Sequence, residues 1–157
     1  LLDYMSEEEI NKNKMHYLEG KRKFYVVNSG NLILDIYESL EIYLKTDDKK
    51  YVIYALSGAI FYKNEMAICI KKKDELVNNI EHLFQNSKKI DSGLFSHQYD
   101  KSGLSKVTNV YFSVNSDTVL VGCLDWSEEI EKKNWMDNLF LKIETKEIQD
   151  WVEGGYK

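Results

Sequence analysis

The spacing of hydrophobic residues changes several times along the chain, and each change predicts a new element. Ser6-Glu7-Glu8-Glu9 has the Ser-x-x-Glu form of a capping box and predicts an exposed N-terminal helix within residues 1–20. Lys23 to Val27 predicts a short strand, which ends at the turn signal Asn28-Ser29-Gly30. A helix face is predicted from i, i+3, i+4, i+7 spacing after Asn31, at Ile33, Ile36, Tyr37, Leu40, Tyr43 and Leu44. A strand over Leu32 to Ile36 is the alternative that this pattern leaves open.

The middle of the chain predicts three strands and then a helix. Residues 51–56, 59–62 and 66–70 are rich in β-branched and aromatic side chains and are separated by short polar turns, which favours an antiparallel meander. Asp74 is a candidate N-cap. The helical stripe that follows it is Leu76, Val77, Ile80, Leu83 and Phe84.

The last third predicts a long loop, a hairpin, a strand and a final helix. Residues 87–106 are polar and contain Gly and Ser, so we expect a loop of the length at which loops are mobile or functional. Residues 107–114 and 118–124 predict a hairpin around Asn115-Ser116-Asp117. Residues 138–143 alternate as a strand, and 146–152 predict a helix that ends before Gly154-Gly155.

This order of elements mixes hairpins with helices and lacks the regular strand-helix-strand alternation of a parallel sheet. We therefore expect an α+β fold with a largely antiparallel sheet and helices packed on one face. A chain of 157 residues is long enough to bury a sizeable core as a single domain over 1–157.

The two cysteines predict a compartment as well as a packing role. Cys69 and Cys123 both lie within apolar runs, where a free thiol is usually a small buried hydrophobic group. Two buried free thiols favour a reducing, cytoplasmic location. No signal-peptide pattern and no run of about 20 apolar residues is present, so the sequence favours neither secretion nor membrane insertion.

Several kinds of chemistry lack their sequence signals. No P-loop, dinucleotide fingerprint, Cys-x-x-Cys pair or His-Glu-x-x-His helix occurs, so we expect no cofactor, no bound metal and no catalysis. A thiolate nucleophile formed by Cys69 or Cys123 with His97 is the enzymatic alternative. It conflicts with the apolar neighbours of both cysteines, since a reactive thiolate needs an electropositive and partly exposed site.

Binding of single-stranded nucleic acid is a further alternative. Tyr51, Tyr54 and Tyr62 lie in predicted strands, Lys71-Lys72-Lys73 is a basic triplet, and Lys21-Arg22-Lys23 adds a second small basic cluster. Against this, the pI near 5.3 opposes binding to a phosphate backbone. Cross-strand packing of the tyrosines is the favoured interpretation.

The net charge of −5 is concentrated at one end of the chain. Residues 117–157 contain ten acidic residues against five lysines, whereas acids and bases balance over residues 1–116. All three tryptophans lie in this acidic part of the chain. Acidic groups steer a basic partner and buried aromatic residues hold it, so the segment predicts a protein-binding surface. The residues predicted to bind the partner are Asp125, Trp126, Glu128, Glu129, Glu131, Trp135 and Asp137.

Residues 122–127, Gly-Cys-Leu-Asp-Trp-Ser, and 137–140, Asp-Asn-Leu-Phe, belong to a small acidic chain without catalytic motifs. In size, charge and layout the chain resembles the immunity proteins of bacterial polymorphic toxin and contact-dependent growth inhibition systems. The resemblance is strongest over residues 107–153. It implies a non-catalytic cytoplasmic protein that covers the basic active site of one cognate toxin, often a nuclease. A phage or mobile-element inhibitor of a host nuclease would use the same acidic surface and is the other alternative.

Overall fold

A computed structural model of the chain describes residues 1–16, 23–29, 36–63 and 65–155. Its elements in chain order are helix α1 (Glu7–Lys12), strands β1 (Lys14–Met15), β2 (Phe24–Asn28), β3 (Ser39–Lys45) and β4 (Ile53–Phe61), helix α2 (Met66–Leu83), strands β5 (Lys88–Ser96), β6 (Lys106–Val114) and β7 (Asp117–Asp125), helix α3 (Glu128–Glu131), strand β8 (Asn138–Glu144) and helix α4 (Lys146–Glu153). The strands form an antiparallel sheet in the order β1-β2-β3-β4-β8-β7-β6-β5. The predicted α+β class is confirmed. None of the described helices is long and apolar enough to span a membrane.

The chain divides into two compact units, Leu1–Gly58 with Lys142–Lys157, and Ala59–Leu141. Each boundary falls inside a strand, so β4 and β8 contribute residues to both units. The expectation of a single domain stays a prediction.

In the first unit, β2 presents apolar side chains on both of its faces. Tyr25 and Val27 belong to a cluster with Ile10 of α1 and with β3, whereas Phe24 belongs to a cluster with Ile148 and Trp151 of α4. Successive residues of a strand point to opposite faces. Helices α1 and α4 therefore lie against opposite sides of β2, which differs from the expected placement of helices on one face.

In the second unit, α2 covers one face of the sheet. Its residues Cys69, Val77 and Ile80 pack against alternate positions of β6 and β7, among them Phe112 and Val121. The opposite face carries Gly122, where an added Cβ would overlap Asn109 Oδ1 and the Phe140 ring. A glycine is required at this position because those two side chains lie directly over its backbone.

The prediction of two free thiols was wrong. Cys69 of α2 and Cys123 of β7 form a disulfide with Cα atoms 6.0 Å apart, and both residues are buried. The chain contains no other cysteine. A thiolate nucleophile paired with His97 is therefore excluded in this oxidised state.

Three element predictions were also wrong, each for a different reason. Residues 39–45 form β3 instead of a helix, because Leu40, Ile42 and Leu44 alternate with less buried residues, as a strand requires. Residues 66–70 begin α2 and are not a strand. Residues 88–96 form β5, although they were expected to lie in a loop. Residues 31–35 of the helix predicted from Asn31, and nearly all of its strand alternative over Leu32 to Ile36, lie outside the described residues. Two further details were wrong: Asp74 lies inside α2 and is not its N-cap, and the strands predicted at residues 51–56 and 59–62 are one strand, β4, instead of two.

The other local predictions were confirmed within one or two residues. Helix α1 begins with a complete capping box, in which Ser6 and Glu9 each accept the other's backbone N–H. Strands β6 and β7 form the predicted hairpin, and Val114 pairs with Asp117. Asn115 takes a φ of 58° in the turn, a conformation that asparagine tolerates better than most residues. Strand β8 and helix α4 lie where the pattern predicted them.

Candidate functional site

Four aromatic side chains meet within the second unit, and we call them the aromatic cluster: His97, Tyr99, Trp126 and Trp135. The ring centroid of Trp126 lies 4.6 Å from that of His97 and 5.0 Å from that of Trp135. Tyr99 stacks on Trp135 at 5.4 Å with an interplanar angle of 29°. Trp126 is only 4% exposed, whereas Trp135 is 45% and Tyr99 is 52% exposed. A buried tryptophan therefore supports two rings that face solvent.

The Tyr99 side of the cluster is fixed by a buried aspartate in the β5–β6 connection. Asp100 Oδ2 accepts hydrogen bonds from the Ser105 backbone N at 3.0 Å and from Ser105 Oγ at 2.6 Å, while Oδ1 accepts from Ser102 N at 2.9 Å. Ser105 Oγ also accepts from Ser127 N at 3.0 Å. Hydrogen bonds from the Ser105 and Ser102 side chains hold the pKa of Asp100 well below its usual range. These bonds tie the segment that carries Tyr99 to the start of α3.

The Trp135 side of the cluster is fixed by the turn after α3. Ile130 is buried and anchors this short helix. Asn134 takes a left-handed φ of 66°, and its N–H donates to the Glu131 carbonyl at 2.9 Å. A non-glycine residue in this region is held there by its surroundings. The turn directs the chain into Trp135 and Met136, which are both exposed.

Asp137 connects the cluster to the sheet. Its Oδ1 accepts a hydrogen bond from the Trp126 backbone N at 2.6 Å, and its backbone carbonyl accepts from Tyr62 N at 2.9 Å. Asp137 is 5% exposed. Partial burial, together with the nearby Asp137 carboxylate, raises the pKa of Asp125. Asp137 therefore belongs to the support of the site, and Asp125 is half-buried directly before Trp126.

The outward acidic groups lie on α3. Glu128 and Glu129 are exposed and Glu131 is half-buried. Among the described residues, no lysine or arginine forms an ion pair with any of these three glutamates. Two exposed lysines, Lys132 and Lys133, follow directly and reduce the local negative charge.

The other acids of the C-terminal quarter behave differently. In the first unit Glu147 forms ion pairs with Lys23 and Lys45, and Lys146 pairs with Asp150. Part of the negative charge of residues 117–157 is therefore neutralised by ion pairs in the first unit. Within the second unit, the three glutamates of α3 form no ion pair with a described lysine.

A cavity of about 370 Å³ opens beside Trp135. It lies entirely within the second unit. Its lining consists of three aromatic rings, a methionine, two acidic residues and one lysine: Phe61, Tyr62, Trp135, Met136, Glu131, Asp137 and Lys63. This cavity is of the size that holds one side chain of a partner or a small ligand.

Sequence reasoning found part of this site. Of the two tryptophans predicted as anchors, only Trp135 faces solvent, and Trp126 supports it. Tyr99, His97 and Met136 were missed as members of the surface. The sequence signal for Tyr99 was its position in a segment long enough to be functional, but nothing in the sequence indicated that it stacks on Trp135.

The residues singled out for other chemistry do not form sites. The Nδ1 atom of His97 accepts a hydrogen bond from Tyr99 N at 3.2 Å, and burial lowers the pKa of His97. Tyr51 and Tyr54 pack against the clusters on opposite sides of β2, so they do not form one stacking platform. Lys73 of the basic triplet is buried, and its Nζ donates to Thr108 Oγ1 at 3.2 Å. The described residues contain no group of histidines, cysteines or acids placed to hold a metal ion.

Comparison with models of protein families, with curated proteins and with solved structures finds no match to this chain.

Proposed function

We propose that this protein is a non-catalytic binding protein whose contact surface is the exposed side of the aromatic cluster. The observation that supports it is the stacked pair Tyr99 and Trp135, half-exposed and held from below by Trp126. Tryptophan and tyrosine carry much of the binding energy in protein interfaces. Rings that are already fixed in the free protein lose little entropy on binding.

The partner that fits this surface is a basic protein. Glu131 lines the cavity beside Trp135, and Glu129 lines a second cavity with Tyr99. No described lysine forms an ion pair with these two glutamates or with Glu128, so their charge is available to steer encounter. A cognate toxin domain of a polymorphic toxin system is the partner that we propose, in line with the resemblance to immunity proteins.

The disulfide changes the compartment in which we expect the protein to bind its partner. A cytoplasmic location was inferred from two free thiols, and the Cys69–Cys123 bond removes that reason. Disulfides persist in oxidising compartments and are rare in a reducing cytoplasm. We propose that the protein meets its partner in an oxidising compartment, which favours a toxin that acts there over a nuclease.

The experiment is growth rescue in a bacterial host. The host expresses the C-terminal segment of the adjacent upstream gene product as the candidate toxin, with both proteins directed to the same oxidising compartment. Wild-type protein is expected to restore growth, and a Tyr99→Ala/Trp135→Ala variant is expected to fail at equal expression. Tyr4→Ala, which removes another exposed aromatic ring, is the matched control and is expected to rescue. Equal rescue by the double variant would contradict the proposed surface.

A further inference from the structure

The cavity beside Trp135 has the composition of a cation-binding site. Phe61, Tyr62 and Trp135 supply aromatic rings, and Glu131 supplies a half-buried carboxylate. The negative face of an aromatic ring attracts a cation, and tryptophan does so best. A carboxylate at the same cavity adds direct charge attraction.

Two of the aromatic residues of this cavity, Trp135 and Tyr62, are held in place by packing and by a backbone hydrogen bond. Trp135 is packed against Tyr99 and Trp126. Tyr62 is fixed through its backbone N–H to the Asp137 carbonyl and packs against the α2 core. A fixed cavity suits a single long side chain, because the cost of ordering is limited to the incoming group.

We propose that this cavity receives a lysine or arginine side chain of the partner, with the cationic head between Glu131 and the face of Trp135. The alkyl stem would then contact Met136 and Phe61, as long basic side chains do when they cover apolar surface. This inference rests on the proposed function where it names a protein as the source of the cation. The preference of the cavity for cations is testable without that protein.

Two charged residues that line the cavity can be substituted with opposite expected effects on cation binding. Lys63 lines the same cavity and is exposed, so its charge opposes an incoming cation. Glu131→Gln removes the attraction of one carboxylate and retains that of Asp137, whereas Lys63→Gln removes the repulsion. Glu75→Gln is the matched control, because Glu75 is an exposed glutamate of α2 in the same unit and does not line the cavity.

The probes are N-acetyl-arginine amide, N-acetyl-lysine amide and the neutral N-acetyl-citrulline amide, titrated into the full chain and followed by the amide and indole N–H signals in NMR. We expect at least one cationic probe to shift the Trp135 indole signal with an affinity roughly threefold to tenfold above that of citrulline. Glu131→Gln is expected to reduce this preference, Lys63→Gln to increase it, and Glu75→Gln to leave it unchanged.

Equal affinity of the citrulline probe and both cationic probes, or a cation preference that survives Glu131→Gln unchanged, would overturn the proposal. These outcomes are separate from the growth experiment. A cavity that prefers cations in a protein that rescues no growth would retain the cation site and remove the toxin as its partner.

Discussion

At the residue scale, Trp126 and Trp135 touch one another but differ in exposure, and their substitutions should have different effects. Trp126→Ala removes a buried ring and is expected to lower the free energy of unfolding by about 3–5 kcal/mol. Trp135→Ala removes a half-exposed ring and is expected to cost about 1 kcal/mol or less. Urea denaturation of the two variants measures both values. Similar losses for the two would show that Trp135 is a core residue and not a surface anchor.

Asp100 gives the protein a specific response to acid. Its pKa is lowered in the folded state by the hydrogen bonds from Ser105 and Ser102, so it stabilises the fold above its unfolded pKa of about 4 and loses this contribution as the pH falls below that value. We expect Asp100→Asn to be less stable than wild type at pH 7 and the difference to shrink below about pH 4. Denaturation at pH 7, 4 and 3 measures this.

The control for Asp100 is Asp47→Asn, which removes one charge from an exposed position without disturbing the serine hydrogen bonds. Subtracting the change in unfolding free energy caused by Asp47→Asn leaves the change that is due to the hydrogen bonds of Asp100. A gap between Asp100→Asn and wild type that stays constant from pH 7 to pH 3 would contradict the assigned hydrogen bonding.

At the element scale, the sequence predicted helices and strands correctly where a cap or turn residue stood next to a regular spacing of apolar residues. The capping box of α1 and the β6–β7 hairpin each have a turn or cap residue next to a clear hydrophobic period. Strand β3 was missed because Leu40 and Leu44 fit a helical stripe and a strand equally well, and only Ile42 between them identifies the strand. Strand β5 was missed because all nine of its residues are exposed in the structure. Its sequence therefore lacks the regular alternation of apolar and polar residues that identifies a half-buried strand.

The candidate site was also predicted only in part from the sequence. The segment from Asp125 to Asp137 was identified from its acids and tryptophans. The contribution of Tyr99 depends on the pairing of β5 with β6, since that pairing sets where their connection lies. Long-range pairing of an exposed strand has no signal in one sequence, so Tyr99 could not be joined to Trp135 by sequence reasoning.

The disulfide between α2 and β7 leads to a prediction about the second unit. It joins residues separated by 54 positions, and a crosslink of that span limits the unfolded chain. Reduction is expected to lower the free energy of unfolding by about 2–4 kcal/mol. Denaturation with and without dithiothreitol measures the loss.

A Cys69→Ala/Cys123→Ala variant is the control for reduction, because dithiothreitol should not change its stability. Alkylation under denaturing conditions without reductant provides a direct count of free thiols. Two alkylated cysteines in protein isolated from an oxidising compartment would contradict the disulfide and restore the cytoplasmic expectation.

At the scale of the whole molecule, we expect the net charge of −5 and the exposed aromatic pair to have separate roles in the proposed binding. Charge acts over a distance and mainly speeds association, whereas a desolvated ring mainly slows release. Only part of the charge is available, because Glu147 and Asp150 of α4 are engaged in ion pairs and Lys132 and Lys133 lie next to α3. We therefore expect the exposed aromatic rings to provide most of the binding affinity.

The measurement that tests this most directly is the affinity of the purified toxin domain for wild-type protein, for Trp135→Ala and for Tyr4→Ala by isothermal titration calorimetry. We expect Trp135→Ala to weaken binding by about 2 kcal/mol or more, which is roughly thirtyfold in Kd, and Tyr4→Ala to bind as wild type does. Binding of the Trp135→Ala variant at wild-type affinity would contradict the claim that the aromatic cluster is the contact surface. Absence of binding by the wild-type protein would contradict the choice of partner.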